Sequence, residues 1–257
     1  MMSVDDTRNK LGKKPARHDP RTLQMANYLG ITHLPDIPAT RDWTGKATAA
    51  WGMMLNDQLG DCTCAAAAHI TQVWSANEGP IEITLPDAEV LKAYEAVGHY
   101  KPGNPASDQG AVEMDVLRYW RKHGIGGYKI KAYVALEPKN HEHIRAAVNL
   151  FGGSYIGVAL PVSAQNQKVW SVPPGGATGK GAAGSWGGHA VVVEAYDSHG
   201  LTCITWGQKK RMTWSFWDTY CDEAYAVLSD IWAPKAKQAP SGFDFATLET
   251  DLKHVTG

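Results

Sequence analysis

The pattern of apolar and polar positions changes character near the middle of the chain. The run Cys62-Thr63-Cys64-Ala65-Ala66-Ala67-Ala68-His69-Ile70, continued by Val73 and Trp74, predicts a buried helix with Cys62 at or near its N-terminus. Further helices are predicted at Asp87 to Gly98 and from about Val112 to His123, the latter stopped by Gly124-Ile125-Gly126-Gly127. After Ala132 one more helix is expected at Glu142 to Leu150, and then strands dominate. Ser154 to Leu160 and His189 to Tyr196 are rich in β-formers, and the turn Asp197-Ser198-His199-Gly200 joins the second to Leu201 to Trp206 as an antiparallel hairpin. A helical Thr213 to Tyr220 and a strand at Ala224 to Leu228 complete the body.

Residues 1–38 read as an arm rich in Lys, Arg, Asp and Pro, whose apolar stretch Leu23 to Leu29 predicts two helical turns against the body. Residues 39–232 read as the folded domain, helical over about 56–130 and strand-rich over about 131–232, with a Pro- and Lys-bearing tail at 233–257. No internal repeat is apparent. At 257 residues and 44% hydrophobic content the chain can bury a full core. Lys and Arg number 25 against 26 Asp and Glu, so no basic excess points to nucleic acid. No apolar run suits a membrane span or a secretion signal, and a cytoplasmic location is the default expectation. Four cysteines are too few for a disulfide scaffold of this size, so their reactivity matters more than their bridging.

A helix N-terminus lowers a cysteine pKa by placing unpaired N–H groups beside the sulfur, and Cys62 fits that position. An imidazole within reach would complete an ion pair and later protonate a leaving amine, and His189 opens the strongest strand of the second half. The same features also describe a packing cysteine and a strand-end histidine. His69, two turns after Cys62, is a rival partner for the thiol but reads better as a packed histidine. Neither Cys62-x-Cys64 with His69 nor His141-Glu142-His143 has the spacing of a metal site, and no metal or cofactor is expected. The loop from Pro174 to Gly181 lacks the first glycine and the hydroxyl residue of a phosphate loop, and reads as a mobile rim or surface linker.

Ile37-Pro38-Ala39-Thr40-Arg41-Asp42-Trp43, then Asn56-Asp57-Gln58-Leu59-Gly60-Asp61-Cys62, and finally Gly188-His189-Ala190-Val191-Val192-Val193 resemble, in order, segments of papain-family cysteine peptidases. The resemblance runs from about Ile37 to Leu228 and includes the Gln-Leu-Gly-x-Cys context found in bacterial members. It implies an α+β, two-lobed fold, with a helical lobe carrying Cys62, an antiparallel β lobe carrying His189, and a peptide or protein substrate in the cleft between. It also implies an amide N–H₂ in the oxyanion hole six residues before the nucleophile. That position is Asn56 for Cys62, while Gln58 stands six before Cys64, so a second register with Cys64 and Gln58 remains open. The family's Asn-Ser-Trp-Gly is replaced by Ile204-Thr205-Trp206-Gly207. Thr205 could therefore orient the imidazole if the alignment slips by one, with Gln208 a second choice and Trp206 either a shield or a core residue. The arm is shorter than the family's inhibitory propeptides, although it could lie across the groove. The expected reaction is amide hydrolysis through a thioester. Acyl transfer to an amine, and a non-catalytic binding or assembly module using ten tryptophans as surface, are the alternatives.

Overall fold

The computed structural model describes residues 9–26 and 36–232. Helix α1 spans Cys62–Glu78, α2 Asp87–Gly98 and α3 Glu113–Lys122, and together they form the helical lobe. Every residue of α1 from Cys62 to Ser75 is buried, as an alanine-rich helix with no polar face must be. Its Trp74 stacks on Trp120 of α3 at 5.7 Å.

Among the described residues, nine strands form one sheet: β1 (Leu23–Gln24), β2 (Arg41–Asp42), β3 (Ile130–Ala135), β4 (Ser154–Leu160), β5 (Val169–Trp170), β6 (Gly187–Asp197), β7 (Gly200–Thr205), β8 (Gln208–Thr213) and β9 (Cys221–Ser229). Their order is β1-β3-β9-β4-β6-β7-β8-β5, with β2 paired to β6. The central strands β9, β4, β6 and β7 pair antiparallel, with Val158 opposite His189. Helices α4 (His141–Phe151) and α5 (Trp214–Tyr220) pack on this lobe. The molecule is thus mixed α and β in two lobes, joined where α1 lies against β6.

Leu23 and Gln24, expected to start a helix, instead pair with Val134 and Ala135 as an added edge strand. The free edge of β3 supplies main-chain partners that an isolated two-turn helix lacks. Residues 27–29 of that expected helix, and the tail at 233–257, lie outside the described residues. The tryptophans are not surface either: seven are buried and Trp51, Trp186 and Trp214 are partly so. Three of them tie the chain together, since Trp43, Trp232 and Trp74 donate their indole N–H groups to Val148, Leu150 and Phe151 carbonyls at 2.7, 2.8 and 2.9 Å. Those are the carbonyls that the end of α4 leaves without intrahelical partners.

Residues 10–14 run between the two lobes. On the helical side, Lys10 N–H donates to Asn56, Ala111 N–H to Gly12, and Lys14 N–H to Ala111. On the β side, Lys13 N–H donates to Gly188, and the Trp206 indole N–H donates to Lys10.

Candidate active site

Two consecutive left-handed residues, Met54 (φ 57°) and Leu55 (φ 68°), fold the loop that precedes α1. The loop is anchored from below by His69, whose Nε2 lies 2.8 Å from the Gly52 carbonyl. This bond and complete burial give His69 a packing role, and burial lowers its pKa to about 4. The loop ends at Asp61, whose carbonyl accepts the Cys64 and Ala65 N–H groups and so starts the helix at Cys62.

Cys62 Sγ faces β6, where the Ala190 N–H donates to it at 3.4 Å. The Gly12 N–H of the arm is near enough to the sulfur to favour its thiolate form. His189, one residue before Ala190, is fully buried. Its Nε2 lies 2.6 Å from Thr205 Oγ1, and its Nδ1 has no hydrogen-bond partner among the described residues. Trp206 stacks on the imidazole with centroids 4.2 Å apart and planes within 15°. That placement comes from the two-residue turn between β7 and β8, in which Trp206 (φ 45°) and Gly207 (φ 69°) are both left-handed.

The structure therefore brings Cys62, His189 and Thr205 to one junction between the lobes. Asn56 is buried in the loop that precedes α1, with Nδ2 donating to the Leu59 carbonyl at 3.0 Å and its amide close to the Asp61 carboxylate. Cys64 and Gln58 are not brought together: Cys64 is turned into the core and Gln58 is exposed. Gln208 is exposed at the start of β8 and takes no part. Among the described residues no group of three His, Cys, Asp or Glu side chains is arranged to hold a metal, and all four cysteines are free.

Enclosure keeps this pair uncharged. Burial pushes the Cys62 thiol up to about 12; the Ala190 N–H opposes that shift, and the charge of Asp61 adds to it. Burial, reinforced by the nearby His69, lowers His189 to about 3. The sequence reading missed several groups. Asp61, directly before Cys62, is buried with neither carboxylate oxygen hydrogen-bonded, and burial raises its pKa well above the usual range. Glu113, Asp222 and Glu223 surround the arm's Lys13, and nothing in the local sequence distinguishes them from surface carboxylates.

Neither a family profile nor a curated protein matches the chain by sequence. Solved structures do match by shape. Xylellain, a cysteine protease from Xylella fastidiosa, aligns with a TM-score of 0.63 at 16% identity over 89% of this chain and 99% of its own. ProCathepsin B S9 from Trypanosoma congolense aligns at 0.58 and 12% identity over 87% of each chain. A Carica candamarcensis cysteine protease, solved in complex with E-64, aligns at 0.52 and 14% identity over 75% of this chain and 99% of that one. The chain therefore has the two-lobed fold of the papain-like cysteine proteases.

Proposed function

We propose that this protein is a cysteine peptidase in which Cys62 is the nucleophile and His189 its base. The observation that carries the reading is the junction itself. A cysteine at a helix N-terminus abuts the strand bearing a histidine, and that histidine's far nitrogen is held by Thr205. With Nε2–H donating to Thr205 Oγ1, Nδ1 carries the lone pair and can take the thiol proton. Once the arm leaves and water reaches the cleft, the burial that holds both groups neutral is relieved, and the thiolate–imidazolium pair becomes accessible.

Attack of Cys62 Sγ on a peptide carbonyl gives a tetrahedral oxyanion, for which the Asn56 amide and the Cys62 backbone N–H are the donors. His189 then protonates the departing amine, leaving a thioester that water, deprotonated by His189, hydrolyses to free acid and thiol. Filling of the cleft by residues 10–14, with both groups neutral, is what favours the second reading, a binding module. The test is hydrolysis of a mixed peptide pool by the full chain and by a Gly12→Ala variant, each with and without Cys62→Ala or His189→Ala. Cleavage should vanish with Cys62→Ala and fall by about 10² to 10⁴-fold with His189→Ala. Cleavage that is absent from every form, or indifferent to Cys62, would reject the peptidase in favour of the binding module.

A further inference from the structure

Lys13 is buried in the cleft with its side chain 1% exposed. Its Nζ lies 3.0 Å from both carboxylate oxygens of Asp222 and 2.9 Å from Glu223 Oε1. Tyr225 fixes Glu223 by donating its hydroxyl to Oε2 at 3.0 Å. From the opposite lobe, Glu113 in the first turn of α3 is wholly buried, and neither of its oxygens has a hydrogen-bond partner among the described residues. Burial alone would discharge Lys13, yet the fields of Glu113, Glu223 and Asp222 hold its ammonium above the ordinary range. Burying carboxylates is costly unless a cation or hydrogen bonds compensate them, so this pocket is built around a positive charge.

Its shape fits a long side chain. A Cβ at Gly157 would lie 1.9 Å from Lys13 Cε, so only glycine at this point of β4 leaves room for the aliphatic stem. The residue in the pocket is held by a main-chain bond to Gly188 and its two neighbours by main-chain bonds to Ala111, which hold any sequence alike. Selection is left to the pocket, whose occupant is bonded through its N–H to the carbonyl of Gly188, next to His189.

We infer that the pocket formed by Glu113, Gly157, Asp222 and Glu223 selects peptide substrates with a Lys or Arg side chain within a residue or two of the scissile bond, and that Lys13 fills it in the resting protein. The inference rests on the peptidase reading for its reaction, but the pocket's preference for a cation can be measured without it.

The experiment uses the full chain carrying Gly12→Ala, because a Cβ there would lie 1.7 Å from the Gly60 carbonyl oxygen and the segment cannot seat. Lys13→Ala, which empties the pocket directly, serves as a second route, and circular dichroism checks that each variant is folded. Peptides varied one position at a time are assayed for cleavage. In parallel, fluorescent peptides bearing Lys or its uncharged isostere norleucine are titrated onto the same variants carrying Cys62→Ala.

The expected result is Cys62-dependent cleavage with a preference of roughly ten-fold or more for Lys or Arg at one position. Glu113→Gln with Glu223→Gln should collapse that preference, and Gly157→Val should abolish it. Cys62-dependent cleavage indifferent to basic residues overturns the inference and leaves the peptidase intact. Absence of cleavage with tighter binding of the Lys peptide, lost in the glutamine variants, rejects the peptidase but upholds the pocket. Absence of both overturns both.

Discussion

At the scale of single residues, the histidine's surroundings are the most informative. Thr205 Oγ1 is the hydrogen-bond partner the structure gives His189 Nε2, and a hydroxyl there can fix the tautomer much as an amide would. Thr205→Val keeps the shape and removes the bond, leaving a buried ring nitrogen unpaired. We expect peptide kcat/KM to fall by roughly ten-fold or more, while Thr205→Ser retains most of it, as measured on the Gly12→Ala background. Trp206 adds to this at a conformational cost, since a non-glycine residue in the left-handed region carries about 1 to 2 kcal/mol of strain. The return is a ring stacked on the imidazole whose N–H also holds the Lys10 carbonyl. Thr205 was visible in the sequence as a candidate because it sits beside the Trp-Gly pair. Lys13 and its carboxylates were not, because a charge in an arm and a charge on a strand look solvated until the fold brings them together.

Elements with a continuous apolar signature were legible and polar ones were not. The helix at Asp87–Gly98 and the strand at Ser154–Leu160 have the bounds their sequence patterns imply. Strand β8, Gln-Lys-Lys-Arg-Met-Thr, has no such signature and exists because the Trp206-Gly207 turn folds it onto β7. Likewise Leu23–Gln24 follows the edge of β3 and not its own helical spacing. Helix α1 is the element on which the two lobes depend, packed on β6 and tied by Trp74 to the Phe151 carbonyl. Trp74→Ala would remove a fully buried indole, its stack on Trp120 and that bond. A loss of about 3 to 5 kcal/mol in unfolding free energy is expected, read from urea denaturation. A loss below about 1 kcal/mol would show that α1 is less tightly packed than its burial indicates.

At the scale of the whole molecule, closing the lobes buries two histidines in neutral form, with His189 lowered to about 3 and His69 to about 4. In the unfolded chain both titrate near 6.5, so between that pH and about 3 the unfolded state binds more protons. Their contribution to stability is complete above about pH 6.5 and is lost as pH falls through 4 and then 3. The denaturation midpoint of the native chain should therefore drop more between pH 7 and pH 4 than that of His69→Gln, which keeps an N–H for the Gly52 carbonyl and cannot titrate. Equal drops in the two proteins would show that His69 is protonated in the folded state. No described helix is long and apolar enough to cross a membrane.

The two-lobed α+β class, and Cys62 and His189 as the residues to watch, were implied by the resemblance to papain-family peptidases, whereas apolar periodicity and turn residues by themselves determined the order of the principal helices and strands. That order is a property that neighbours in the chain impose on one another through propensity and burial. Tertiary structure alone decided that Cys62 meets β6 while Cys64 faces the core, that residues 10–14 fill the cleft, and that Lys13 meets Glu113, Asp222 and Glu223. Those contacts join segments up to about 200 residues apart, and a long-range pairing of charges or hydrogen bonds leaves no local period for a sequence to display.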